Sequence, residues 1–240
     1  MASESLAQVW PARSIAAGLP DVLLDTFARI GAARVFTRGQ VIIAEQARTS
    51  EVYLIVAGFV RVINHSATGD QAMIAIRTSG DLVGELAALD GQPRTSTVIA
   101  ASRVSVRVID APLFRSFAAA HPSVGEAVSR SVVGKLRGAT RSRVDASAPS
   151  VLARVARVLD HLADSYGRMT AAGLLIDIPL PQRDLASLVG TSEKGVSRAY
   201  AVLRAGGAID VTYRRVVVLD HKVLQRFAGD TTTPDETWTD

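Results

Sequence analysis

Gly84, Glu85, Arg94 and Thr95 are the residues of this chain whose types and spacing best suit chemistry on a ligand. Gly80-Asp81 makes a turn between two apolar, strand-like runs. Gly84-Glu85-Leu86-Ala87 then starts a short helical turn, and Arg94-Thr95-Ser96 follows Pro93 and opens another strand. A glycine that lets a ligand approach the backbone, free N–H groups at a helix start, a guanidinium and a hydroxyl together suit one phosphate. A carboxylate such as Glu85 fits beside a phosphate when the ligand also offers a hydroxyl donor, and a ribose 2′-OH is such a donor. One anionic phosphate and one free 2′-OH describe a 3′,5′-cyclic nucleotide. The plainer alternative is a β-turn closed by a surface ion pair between Glu85 and Arg94.

A second constellation lies in PQRDLASLVGTSEKGVSRAYAVLRAGGAI. Leu185, Leu188 and Val189 give a short helix, and Gln182 ahead of them is a candidate DNA contact. Gly190 supplies a tight turn, and Ser192 is a good N-cap for a second helix. On that helix Val196, Ala199, Tyr200 and Leu203 form an apolar face. Glu193, Lys194, Ser197, Arg198 and Ala201 form a polar face that starts at the N-terminus, where a recognition helix meets base edges. After Gly207, AIDV and VVVLD flank a turn at Thr212-Tyr213-Arg214-Arg215, so Arg214 and Arg215 would reach phosphate from a wing. This reads as a winged helix-turn-helix on double-stranded DNA. The alternative is a helix pair packed as an ordinary bundle.

These two sites need elements to hold them. The 240 residues are 48% hydrophobic, enough for one large or two modest domains. Residues 1–18 are Ala/Ser-rich without a period and read as a loosely held arm. A short helix follows from Pro20 to Gly31. From Arg34 to Ile109, seven β-branched runs separated by glycine-bearing turns argue an all-β barrel or jelly roll. Ala111–Ala120 reads as a helix, and 122–145 as one long helix with Pro122 in its first turn. Val124, Val128, Val132, Leu136 and Ala139 lie near one face of it, and Gly134 and Gly138 would let a second helix approach closely. Residues 146–150 read as a hinge, 151–167 as a helix, LLIDIPL as a short strand, and 230–240 as an acidic tail. The expected domains are therefore 1–121 (β-roll with its arm), 122–145 (dimerisation helix) and 151–229 (DNA-binding domain), and the fold class is α+β.

Composition narrows the rest. With no Cys, there is no disulfide and no thiolate-held cluster. The four His (His65, His121, His161, His221) have no metal-like spacing, so no metal is expected. No apolar run approaches the ~20 residues of a membrane span, and the start lacks the pattern of a secretory leader. A cytoplasmic protein without membrane contact is expected. Residues 150–229 carry eleven Lys/Arg and seven Asp/Glu, a mildly basic module that permits DNA binding. No residue set proposes bond-making chemistry, so no enzyme is expected.

The stretch from Gly84 to Thr95 resembles the phosphate-binding cassette of cyclic-nucleotide-binding domains, G-E-L-A, a spacer, then R-[ST]-A. It matches at Gly84, Glu85, Leu86, Ala87, Arg94 and Thr95 and departs at Ser96, where Ala is usual. The resemblance extends to the β-region, where EVYLIVAGFVRV matches the strand–Gly–strand hairpin. It implies that Glu85 holds the ribose hydroxyl and that Arg94 and Thr95 hold the cyclic phosphate. The helix-turn-helix resembles that of the Crp–Fnr transcription regulators, whose reading helix follows G-x-S. By position, Glu193, Lys194 and Arg198 would read bases. Arg198 matches an Arg common in the family, while Glu193 replaces a frequent Arg, so the operator half-site should differ from the best-known sequence, since Glu accepts from cytosine N4. The resemblance implies a homodimer on a pseudo-palindromic operator, with RNA polymerase as a further partner and cAMP as effector. In cAMP-responsive members the long helix offers a Thr-Ser pair to adenine; Ala139 and Thr140 stand at those positions. Thr95 beside Arg94 resembles the R-T form of cGMP-selective domains. cGMP, a cyclic dinucleotide, and a regulator active without ligand stay open, as does a cyclic-nucleotide-binding signalling subunit that grips a protein partner.

Overall fold

The structure is a computed structural model that describes residues 10–11, 14–65, 71–146, 150–178, 180–212 and 215–229. The chain divides into two compact units, Met1–Gly138 and Ala139–Asp240.

In the first unit the glycine-punctuated runs become strands β1 (Ala32–Phe36), β2 (Val41–Ile43), β3 (Val52–Ala57), β4 (Phe59–His65), β5 (Gln71–Thr78), β6 (Leu82–Val83), β7 (Thr97–Ala100) and β8 (Val104–Ile109). They form two four-stranded antiparallel sheets, ordered β1-β8-β3-β6 and β2-β7-β4-β5. The strand alternation of period two explains how β3 can be apolar throughout. Tyr53 and Ile55 point between the sheets, where they meet Phe36, Ile43, Val60, Val83, Val98 and Val106. Val52 and Leu54 point the other way, onto helices. Those helices are α1 (Asp21–Arg29), α2 (Glu85–Asp90), α3 (Ala111–Ala120) and the start of α4 (Pro122–Ala146). They contribute Phe27, Ala88, Phe114, Val124, Ala127 and Val128 to a second core.

One expectation changes here. The arm is not loose from Ser14 onward. Ser14–Leu19 contains a 3-10 turn (Ala16–Gly18), and Ser14, Ile15, Ala16 and Leu19 are buried. Ile15 and Leu19 join the helix-side core, and the Ala16 N–H donates to Gly80 O at 3.1 Å. The strand-like run expected after the Gly80-Asp81 turn is the two-residue strand β6, which pairs with Tyr53 and Leu54.

The second unit holds α5 (Val151–Tyr166), β9 (Gly167–Thr170), β10 (Gly173–Ile176), α6 (Gln182–Val189), α7 (Glu193–Ala205), β11 (Ile209–Thr212), β12 (Arg215–Val218) and α8 (His221–Ala228). The apolar face of α5 places Val155, Leu159 and Leu162 in the core, against α6, α7 and α8. The expected single strand near LLIDIPL is one half of a hairpin, because β9 pairs with β10 and completes a four-stranded sheet ordered β11-β12-β10-β9. Helix α8 is a further addition; the Asp220 carboxylate accepts from Val223 N–H at its start, and Gly229 ends it in the left-handed region. The expected hinge falls mostly on 147–149 and the acidic tail on 230–240, both outside the described residues.

Candidate ligand and nucleic-acid sites

Strand β6 leads directly into the ligand cassette. Gly84 follows with φ +84° and serves as the N-cap of α2. A Cβ at Gly84 would lie 2.5 Å from Arg94 Nη1 and 2.9 Å from Glu51 O, so both the backbone angle and the space require glycine. Gly91 ends α2, and the chain returns through Arg94 to β7.

Arg94 is only 2% exposed, and protein acceptors engage four of its N–H groups. Its Nε donates to Thr49 Oγ1 (3.0 Å), Nη1 to Gly84 O (2.8 Å), and Nη2 to Glu51 O (2.8 Å) and Glu51 Oε2 (3.2 Å). The Arg94 backbone is also fixed, donating to Ala47 O and accepting from Gln46 N–H. The loop before β3 therefore clamps the arginine from both sides.

Glu85 is 3% exposed and does not pair with Arg94. Its Oε1 accepts from Lys135 Nζ at 2.8 Å, and the same ammonium donates to Leu82 O at 2.8 Å. The surface ion pair between Glu85 and Arg94 is thus replaced by two separate pairs, one to α4 and one to Glu51. Lys135 is the residue that sequence reasoning missed. It lies 50 residues from Glu85, and no spacing rule connects them.

Leu86 and Thr95 are exposed, Ala87 is buried, and Ser96 is half-buried. A cavity of about 450 Å³ opens beside the cassette, lined by Arg48, Thr49, Ser50, Ala87, Gly91, Gln92 and Pro93. It lies on the loop side; Glu85, Arg94 and Thr95 do not line it. Ala139 and Thr140 lie past Gly138, in the second unit, on the exposed surface of α4. At the far end of β4, His65 Nδ1 bonds Glu45 Oε2 at 2.8 Å, and this hydrogen bond holds the Glu45 carboxyl below its ordinary range.

In the second unit, α6 and α7 are joined at Gly190, whose φ of +69° makes the tight turn. Ser192 Oγ accepts from Gly195 N–H and caps α7. Val196, Ala199, Tyr200 and Leu203 are buried, while Glu193, Lys194, Ser197, Arg198 and Ala201 are exposed on one contiguous face. Ser197 Oγ donates to Gln182 Oε1 at 2.8 Å, tying α6 to the middle of that face. The Tyr200 hydroxyl is buried without a hydrogen-bond partner among the described residues, and burial pushes its pKa up. On the wing, Arg215 pairs in register with Thr212, and Asp177 lies 3.8 Å from its guanidinium and 3.7 Å from that of Arg168. Arg214 lies outside the described residues. Two arginines of α5 close the ends of other helices: Arg154 donates to Val189 O and Arg157 to Ala228 O.

A β-roll with a phosphate-type cassette, a long helix and a winged helix-turn-helix define a class: transcription regulators with a built-in effector domain. The comparisons agree. The family described as "Cyclic nucleotide-binding domain" matches residues 33–121, and the "Crp-like helix-turn-helix domain" matches 153–227. A CRP-like cAMP-activated global transcriptional regulator of Mycobacterium tuberculosis is 30% identical over 193 residues, covering 80% of this chain and 86% of that one. Among solved structures, FixK2 from Bradyrhizobium japonicum superposes with a TM-score of 0.72 at 22% identity, over 82% of this chain and 97% of that one. The c-di-GMP responsive regulator CLP of Xanthomonas campestris gives 0.66 at 18% identity, over 84% of this chain and 100% of that one. The chain belongs to the Crp–Fnr family of transcription regulators and is a DNA-binding protein with a cyclic-nucleotide-binding domain. Among the described residues, no helix is long and apolar enough to cross a membrane.

Proposed function

We propose that this chain is a homodimeric transcription regulator whose first unit binds a 3′,5′-cyclic nucleotide, cAMP before cGMP, through Gly84, Glu85, Leu86, Ala87, Arg94, Thr95 and Ser96. The observation that carries this is a buried carboxylate and a buried guanidinium at the start of α2: Glu85 is its first residue, and Arg94 donates to the carbonyl of its cap, Gly84. A carboxylate for a sugar hydroxyl and a guanidinium for a phosphate suit the two ends of one small ligand. The cAMP-activated mycobacterial relative supports cAMP. The Xanthomonas neighbour, responsive to a cyclic dinucleotide, supports a second reading in which the same roll takes c-di-GMP, and Ala139 at a hydroxyl-bearing position leans that way.

Dimerisation is assigned to α4. Its 25 residues leave Val133 and Leu136 exposed, at 46% and 67%. Among the described residues nothing lies within 4 Å of a Cβ built at Gly134 or Gly138, so a second helix can approach there. The dimer sets two copies of α7 on a pseudo-palindromic operator about one DNA turn, ~34 Å, apart. Glu193 and Arg198 read bases, with Gln182, Ser192, Lys194, Ser197, Arg214 and Arg215 completing the contact set. The ligand acts through its differential affinity for two arrangements; a hundredfold shift takes about 2.7 kcal/mol. The protein works in the cytoplasm beside RNA polymerase, holds no metal, and catalyses no reaction.

Calorimetric titration with cAMP, cGMP and c-di-GMP tests the effector. Micromolar binding of a mononucleotide that is lost in Arg94→Ala supports the first reading, and binding of c-di-GMP alone supports the second. Operator binding that weakens steeply with salt separates a DNA partner from a protein partner.

A further inference from the structure

Asn64 carries a buried amide oxygen to which no group among the described residues donates. Buried polar atoms are paired in the great majority of cases, so an unmet acceptor asks for a reason. Its position supplies one. Strand β4 pairs with β7 in unbroken register, Val60 with Ala100, Arg61 with Ile99, Val62 with Val98 and Ile63 with Thr97. Val60 and Val62 belong to the core between the two sheets. Side chains alternate along a strand, so Asn64 faces the same interior. Continuing the register by one residue sets Asn64 beside Ser96, which follows Arg94 and Thr95 of the cassette. Its partner across β5 is Ala72, and Ala75 stands opposite Val62. The residues paired with Asn64 across the two neighbouring strands are therefore small, and Asn64 and Ser96 are both half-buried, as the wall of a site would be.

We infer that Asn64 reads the base of the bound nucleotide, and that this base presents an amino group to Asn64 Oδ1. A nucleotide held by its phosphate at Arg94 and Thr95 extends its base along the inner faces of β7 and β4. An oxygen there accepts, so it selects a base that donates: the exocyclic amine of adenine or guanine. A base without the amine leaves the oxygen buried and unmet, which is the stronger source of discrimination. The inference rests on the reading of the first unit as a cyclic-nucleotide site, and it adds the group that chooses among nucleotides.

The test is calorimetric titration of the full-length protein with two pairs of 3′,5′-cyclic monophosphates. Adenosine is set against purine riboside, and guanosine against inosine; within each pair only the amine is lost. In the wild type, whichever of cAMP or cGMP binds tighter should bind about tenfold more tightly than its amine-free partner. In Asn64→Leu that ratio should fall to within about twofold, with the amine-free nucleotide binding no worse than in the wild type. An unchanged ratio in the variant overturns the inference and leaves the cyclic-nucleotide reading standing. Should Asn64→Leu not fold, the wild-type ratios still decide, since a protein indifferent to both amines has no such reader. If the wild type binds none of the four, the cyclic-mononucleotide reading itself falls, and this inference falls with it.

Discussion

Lys135→Met tests how α4 is fastened to the cassette. The Lys135 ammonium donates to Glu85 Oε1 and to Leu82 O, each at 2.8 Å, with side chains 4% exposed for Glu85 and 24% for Lys135. A solvent-exposed ion pair contributes about 0.2–1 kcal/mol. Removing one partner of a fully buried pair costs about 3–5 kcal/mol, mostly because the other charge is left dry and unpaired. With one partner buried and the other a quarter exposed, we expect a loss of about 2 kcal/mol. In the first unit, Met1–Gly138, that lowers the melting temperature by about 7 °C. The assay is a double-mutant cycle, Lys135→Met, Glu85→Leu and both together, followed by scanning calorimetry. Replacing both charges by apolar groups of similar size is close to neutral, so the double variant should recover at least half of the loss. A single variant within about 0.5 kcal/mol of the wild type, or strictly additive losses, would refute the buried-pair reasoning.

Gly84→Ala should lower stability by about 2–4 kcal/mol and abolish ligand binding, because the new Cβ meets Arg94 Nη1 and Glu51 O at a backbone angle that disfavours it; melting and titration on one preparation check both effects. Tyr200→Phe should leave the second unit as stable or raise it by up to about 1 kcal/mol, since the deleted hydroxyl is buried without a partner among the described residues; urea denaturation decides, and a loss above about 1 kcal/mol would point to a partner for that hydroxyl. The depressed pKa of Glu45 comes first from its hydrogen bond with His65. Its stabilisation is therefore fully present above the ordinary value of 4.5 and is lost as pH falls through the depressed value. Glu45→Gln should flatten that part of the acid stability profile, measured by denaturation at a series of pH values.

Much of this architecture was legible because local signals coincided with tertiary demands. Ser192, Gly190 and the Val196–Leu203 stripe mark the helix pair, since a cap, a positive φ and a 3.6-residue period are written in neighbouring residues. The strands were legible for the same reason, glycines standing where the chain turns. What escaped notice depends on distance or on short elements. Ser14, Ile15, Ala16 and Leu19 are buried because a single 3-10 turn seats them between the Gly80 turn and the helix-side core, and so short a turn leaves no period. Helix α8 had its signal, an Asp220 cap and a Gly229 stop, but it is short and follows a strand at once. The partners of Glu85 and Arg94 could not be read. Glu51 and Lys135 are ordinary surface types in sequence, and only the folded roll brings them to the cassette.

The arginine clamp has a consequence for how a ligand could be sensed. Arg94 is buried and already bonded through Thr49, Gly84 and Glu51, so a bound anion finds it in one fixed place and spares the entropy of immobilising a long side chain, about 0.5–1.5 kcal/mol. A group that does not move between states contributes anchorage, but it cannot by itself favour one state over another. Glu85 differs, because its partner Lys135 stands on another element, α4. A hydroxyl that donates to Glu85 changes the field felt by that ammonium. On the function proposed above, the roll separates holding from reporting: one side chain retains the ligand, and another, through a single lysine, carries the news of its arrival into the long helix.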